Sequence, residues 1–196
     1  MTEPVALADL RTHLRLDADA TDEDAYLSTM IVAARRACEA QINRAIVATT
    51  LVETRDAFPD HADPWEIQIP DPRAREIALA GGSVVSVAIG YADATGTVQT
   101  LDPDRYVADL SDIPARLAPV GTWPATQARP GAVTITYIVA SLPADDMKVV
   151  AQAMLLLIGH WYRNRESVVV GAPGVPIELP NSVSWLLGPL RQWATE

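Results

Sequence analysis

The stretch Met147-Lys148-Val149-Val150-Ala151-Gln152-Ala153-Met154-Leu155-Leu156-Leu157-Ile158-Gly159-His160-Trp161-Tyr162-Arg163-Asn164-Arg165-Glu166 decides the fold. Its apolar residues run nearly all the way round a helix over Met147–Arg165, about five turns long. Pro143 suits a first helical turn, and Asp145 and Asp146 follow where the helix dipole favours acid. A helix apolar on every side is buried on more than one side. Either it is the central helix of a core, or neighbouring subunits cover its far face. Its apolar run is too short to span a bilayer.

Upstream, a second long helix follows Thr21, a capping residue, and the acidic triplet Asp22-Glu23-Asp24. Leu27, Ile31, Ala34, Cys38 and Ile42 recur at steps of four and three and define one apolar face. Arg35, Arg36, Glu39 and Gln41 lie largely off it, and Asn43 suits a C-terminal cap. Before it, Val5–Leu16 reads as a short amphipathic helix on Leu7, Leu10 and Leu14. After the main helix, Val168–Pro176 reads as irregular loop, from its Gly and Pro content. Pro180-Asn181-Ser182 then starts a last helix with Val183, Leu186, Leu187 and Leu190 as a stripe between Trp185 and Trp193. That helix either docks on a partner through its Trp residues or folds back on its own core.

Between the long helices the texture is that of strands. Ile46–Thr54, Trp65–Ile69, Ser83–Tyr91, Thr97–Leu101 and Ala132–Val139 read as strands, with Asp93-Ala94-Thr95-Gly96 as a hairpin turn. Residues 111–130, with four prolines, read as irregular loop. The fold class is therefore α+β: a small helical bundle of two long helices plus short N- and C-terminal helices, with a mostly antiparallel β insertion between the long ones. The segments are 1–44 for the N-terminal helices, 45–140 for the insertion, 141–166 for the second long helix, and 167–196 for the loop and docking helix, all within one domain.

The 196 residues are 49% hydrophobic and 20% charged, enough for a core and too apolar for a disordered chain. Cys38, the single cysteine, excludes a disulfide framework and a multi-cysteine zinc site. The net charge of −10 argues against a protein that coats DNA, which needs cations to displace counterions. No secretory signal opens the sequence, and a soluble, intracellular protein is expected. Chemistry is sparse. Gly81-Gly82-Ser83 lacks the lysine of a phosphate loop, and His13, His61 and His160 lack metal-ligand spacing. Both acidic clusters sit at helix starts, and Cys38 sits on an apolar face. Arg163 and Arg165 flank the end of the apolar helix, suited either to its dipole or to an interface ion pair. No catalytic residue, metal or cofactor is expected.

Three segments carry a family resemblance. Leu7-Ala8-Asp9-Leu10-Arg11-Thr12-His13-Leu14-Arg15-Leu16 followed by Asp22-Glu23-Asp24-Ala25-Tyr26-Leu27 resembles the start of head–tail connector proteins of tailed double-stranded DNA phages. Residues 147–166, with their aromatic-Arg-Asn-Arg-Glu ending, resemble the family's second long helix. Glu178-Leu179-Pro180-Asn181-Ser182-Val183-Ser184-Trp185-Leu186-Leu187-Gly188-Pro189-Leu190-Arg191 is similar to its C-terminal element. The long middle region looks like the longer subgroup, described as possible DNA-packaging proteins.

The resemblance implies a non-enzymatic head-completion or adaptor subunit of a ring, usually of twelve, in the virion at the head–tail interface. It would assemble in the host cytoplasm, bind beneath the portal protein and extend the DNA channel without gripping DNA specifically. It would also give a stopper or tail-completion protein its docking surface, with no role for a membrane. By position, portal docking falls on Trp185, Leu186, Leu187, Leu190 and Trp193. Subunit contacts fall on Met154, Leu157, Trp161, Arg163 and Arg165, where the over-apolar helix would gain cover from ring neighbours. The other expectation is a phage-encoded non-enzymatic binding module or assembly chaperone.

Overall fold

The computed structural model of the chain describes residues 3–17, 21–59, 77–111, 113–164 and 181–192. It is a mixed α+β protein that divides into two compact units. One is Met1–Val47 with Leu142–Glu196, and the other is Ala48–Ser141.

The first unit is helical. Helix α1 spans Leu7–Leu14 and ends on Arg15, which takes the left-handed conformation at φ 58°. The Leu16 amide donates to the Arg11 carbonyl and closes that end. Helix α2 spans Asp24–Ile42 and ends the same way on Asn43, at φ 54°. It starts later than the acidic triplet suggested. Glu23 stands at the N-cap position without a side-chain cap, and only Asp24 lies in the first turn. Helix α3 spans Ala144–Arg163, with Pro143 as its N-cap residue. Helix α4 spans Asn181–Leu187 and passes into a 3-10 turn, Gly188–Leu190. The loop expected over Val168–Pro176 lies outside the described residues, as do Arg165 and Trp193.

The expected face of α2 is the buried one: Leu27, Ile31, Ala34, Cys38 and Ile42 all enter the core. They meet Val150, Ala153, Met154, Leu157 and Ile158 of α3, Leu10 of α1, and Val183 and Leu187 of α4. Each Leu or Ile removed from water here contributes about 1.5–3 kcal/mol. Helix α3 packs against α1, α2 and α4 of its own chain. Gly159 lets α1 come close, since a Cβ there would lie 3.2 Å from Nε2 of His13.

The second unit is β, and every strand pairing among its described residues is antiparallel. Strands β1 (Thr49–Arg55), β2 (Ile77–Leu79), β3 (Val84–Ala92), β4 (Val98–Thr100), β5 (Tyr106–Asp109), β6 (Ala115–Pro119) and β7 (Val133–Val139) form two sheets. Their orders are β1-β7-β3-β4 and β2-β6-β5. Strand β6 falls inside the stretch expected to be loop. Ala115 and Leu117 alternate inward between the prolines, and Pro119 stands at the strand's end, where a proline disrupts least. The strand read at Trp65–Ile69 lies outside the described residues.

The register of the larger sheet sorts its side chains. Val52 opposes Thr136, which opposes Ala88, and Thr54 opposes Thr134, which opposes Gly90. Thr50, Ile138 and Ser86 make the third row. These residues share one face, because opposed residues of an antiparallel pair point the same way. The other parity supplies the core: Val133, Ile135, Tyr137 and Val139 of β7 and Ile89 of β3 are buried. Ile77 and Leu79 of β2, Leu117 of β6 and Tyr106 of β5 are buried in the same unit. The Tyr106 hydroxyl donates to the Val87 carbonyl, 3.3 Å away, which ties the two sheets together. Gly81 sits at φ +99°, and a Cβ there would come within 2.7 Å of Leu51. That glycine stands between β2 and β3.

Candidate docking surface

The helical unit is locked by polar clasps around its apolar core. Arg11 of α1 donates from Nε to Asp24 Oδ1 at the start of α2, over 2.9 Å. The Tyr162 hydroxyl, at the end of α3, donates to Glu23. Arg35, at 6% exposure, is a deeply buried charge. Its Nε donates to Glu3 over 2.8 Å and its Nη1 to both Glu39 oxygens over 3.0 Å. Burial disfavours the guanidinium charge, but the hydrogen bonds and charges of Glu3 and Glu39 outweigh that, and its pKa is raised. Sequence periodicity placed Arg35 off the buried face. The signal available was Glu39, four residues on, a spacing that lets the two meet on one side of the helix.

The C-terminal element shows how one short helix divides its residues. Val183 and Leu187, four apart, are buried, and Leu186 and Leu190 are partly buried against the same core. The Gln192 amide then donates to the Ile42 carbonyl at the end of α2, over 2.8 Å. Two positions after Val183 the helix has turned through about 200°, and Trp185 stands 83% exposed. So α4 folds back on its own core along its stripe and holds Trp185 out. Of the expected docking residues, Leu187 has no surface left to give, Leu186 and Leu190 have some, and Trp185 has nearly all of its own.

The expected subunit-contact residues separate in the same manner. Met154 and Leu157 are buried at 1% exposure or less, inside their own chain's core. Both face the core that α3 builds with α1, α2 and α4 and keep no outward surface in this chain, whereas Val149, Leu155 and Leu156 are only partly buried. Trp161 is half-buried against the core and Arg163 is exposed at the end of α3. The α3 C-terminus is closed by Asn164, whose Nδ2 donates to the His160 carbonyl over 2.9 Å.

Groups with possible chemistry are quiet. Burial pushes the Cys38 thiol up to about 11, with the Glu39 carboxylate adding to the shift. That favours the inert thiol over the reactive thiolate. His13 lies beside Gly159 and half-buried His160 beside Asn164, and no group of three metal-ligating side chains occurs among the described residues. His61 lies outside them. Among the described residues, no helix is long and apolar enough to cross a membrane.

Comparison with known proteins gives the setting. Residues 4–71, about a third of the chain, match the family model of the phage gp6-like head-tail connector protein, and the resemblance read from the sequence stands. No curated protein matches. Among solved structures, a chain from the neck of an empty GTA particle, computed with C6 symmetry, superposes with a TM-score of 0.68 at 24% identity. The match covers 100% of this chain and 95% of that one. A chain in the virion of a native gene transfer agent (GTA) particle gives a TM-score of 0.64 at 23% identity, over 98% of this chain and 92% of that one. A chain from the neck of a native GTA particle, computed with C12 symmetry, gives 0.60 at 22%, over 97% and 90%. At these identities the likeness is one of fold.

Proposed function

We propose that this chain, a head–tail connector family protein over its matched segment, is a structural subunit of a ring in the neck of a tailed-phage-like particle. The observation that carries the reading is the superposition of the whole chain on neck chains of particles computed with C6 and C12 symmetry. A ring of twelve is the reading adopted. In it, two long helices form the bundle that anchors the subunit, and the β unit is an insertion between them. The ring sits beneath the portal, extends the DNA channel and offers a platform to a stopper or tail protein. The subunit assembles in the host cytoplasm and ends in the virion. The net charge of −10 suits a channel wall that lets DNA slide, since grip follows the number of phosphates neutralised.

Trp185 is the residue assigned to portal docking, with Leu186 and Leu190 and with Trp193, which lies outside the described residues. An exposed Trp on a helix whose other face is anchored is the kind of side chain that dominates interfaces. Trp161 and Arg163 of α3 remain assigned to neighbouring subunits, together with Arg165, which lies outside the described residues.

The test is the solution mass of the purified protein, alone and with its portal, by light scattering. A ring-sized mass, or a monomer that becomes ring-stoichiometric on the portal, supports the reading. A monomer or dimer indifferent to the portal overturns it in favour of a separate binding module. Trp185→Ala tests the docking residue. It should weaken portal binding at least tenfold with an unchanged melting temperature. Truncation before α4 is the poorer test, because it also strips Val183 and Leu187 from the core.

A further inference from the structure

We propose that the uncharged outer face of the β1-β7-β3-β4 sheet packs against a second copy of this chain. The inference rests on the ring reading and supplies it with a surface.

The nine outward positions of β1, β7 and β3 carry no charged side chain. A solvated surface would place about two or three charges among nine residues. The outer face of an antiparallel sheet is normally its polar side. Here it is built of four threonines and a serine with Thr136 at the centre, and of Val52, Ile138, Ala88 and Gly90 around it. Val52 is 62% exposed and Ile138 is 42% exposed, on adjacent strands and in adjacent rows. A depression of about 360 Å³ opens beside them, lined by Ala88, Gly90, Thr134, Thr136 and Thr100, with Arg129 also on it. Glu53 and Arg55 have the opposite parity and pair with each other, Nε to Oε1 over 2.6 Å.

The charge balance selects the occupant. Each copy carries −10, so two copies repel across most of their surfaces. They meet at least cost where charge is sparse, and here the nine strand positions are uncharged, with Arg129 lining the depression beside them. A basic protein would find no carboxylate at the nine positions, and a nucleic acid would find a single cation, Arg129, lining the depression beside them. The exposed valine and isoleucine favour a protein partner over a water-filled channel. The α3 residues Met154 and Leu157 are buried in their own chain, so subunit contacts draw on other surfaces, beside Trp161 and Arg163.

The size of the face sets the strength. Four strands about 4.8 Å apart and three rows about 7 Å apart cover on the order of 400 Å². A stable interface needs about 800 Å² per partner. The contact is therefore weak between free subunits and forms when copies are concentrated or held side by side.

The experiment uses the full chain with Thr136→Cys, and Trp185→Cys as a control on the other unit. The native thiol is buried and does not compete. Maleimide labelling is read in dilute protein and in the assembled state, formed at about 1 mM or on the portal ring, with mass followed by sedimentation. The expected result is labelling of Thr136→Cys at least tenfold slower on assembly, with free-subunit Trp185→Cys labelled as fast at high as at low protein concentration. Val52→Glu should lower self-association at least tenfold with the melting temperature unchanged. Assembly with Thr136→Cys still fully reactive overturns the proposal and leaves the ring reading standing. Failure to assemble, alone or on the portal, overturns both.

Discussion

The helical unit and the β unit handle apolar side chains in opposite ways. In the helical unit the stripes of four helices converge, and Tyr26, Val32 and Trp185 are the large apolar residues left exposed among those described. The β unit exposes Val52, Val85, Val98, Val107, Ile113, Val120 and Ile138. A central helix can be surrounded by its neighbours, whereas a sheet always presents a second face. The lesson is that a strongly apolar helix need not signal a subunit interface. In this chain the more modest-looking strands leave more apolar surface uncovered.

The largest expected effect breaks the core of the helical unit. Leu157→Ala should cost about 3–4 kcal/mol through lost burial and the cavity left behind. Val98→Ala, on the exposed edge strand β4, should change stability by less than about 0.5 kcal/mol. Urea unfolding compares the two, and equal losses would dissolve the contrast between the units.

Arg35→Ala comes next. It leaves Glu39 largely buried and short of its main partner, and should cost about 2–3 kcal/mol, discounted for the partial exposure of Glu3. A double-mutant cycle with Glu39→Gln should recover coupling of about 1 kcal/mol or more, and additivity would show that the clasp is ornamental. Arg15→Gly works in the other direction. A non-glycine residue at φ 58° is strained, so the glycine should raise stability by about 0.5–1 kcal/mol in the same measurement.

The smallest effect sharpens the β side. Asp93 accepts from the Thr95 hydroxyl, from Gln99 and from the Thr97 and Thr95 amides, and these hold its carboxyl at about 2. That lies below the ordinary carboxyl value, so its contribution is whole above about pH 4 and is lost as pH falls through 2. Amide exchange across the β3–β4 hairpin should quicken over that range, and Asp93→Asn should flatten the dependence. An unchanged profile would remove Asp93 as the clasp of that turn.

Much of the helical content was legible because it is periodic. The α2 face, the Asn43 terminus and the clearest strand, β7, follow from spacing that local geometry enforces. The candidate site was legible only in part. That Trp185 and Leu187 belong to one short helix is a matter of sequence, but which of them faces water depends on where α4 is anchored. The missed strand β6 sits among prolines and forms between β5, its neighbour in sequence, and β2, which reaches it from far upstream.

By itself the sequence determined the long helices and the strands β1, β3, β4 and β7, where the long helices carry their stripes, and which family its first residues resemble. All of these are set by neighbours within a few turns of the same chain. Only the tertiary structure decided that Met154 and Leu157 face inward, that Arg35 is a buried clasp, and that the uncharged parity of three strands faces outward. Burial is a property of what packs against a residue, and those partners lie tens of residues away, beyond the reach of any local pattern.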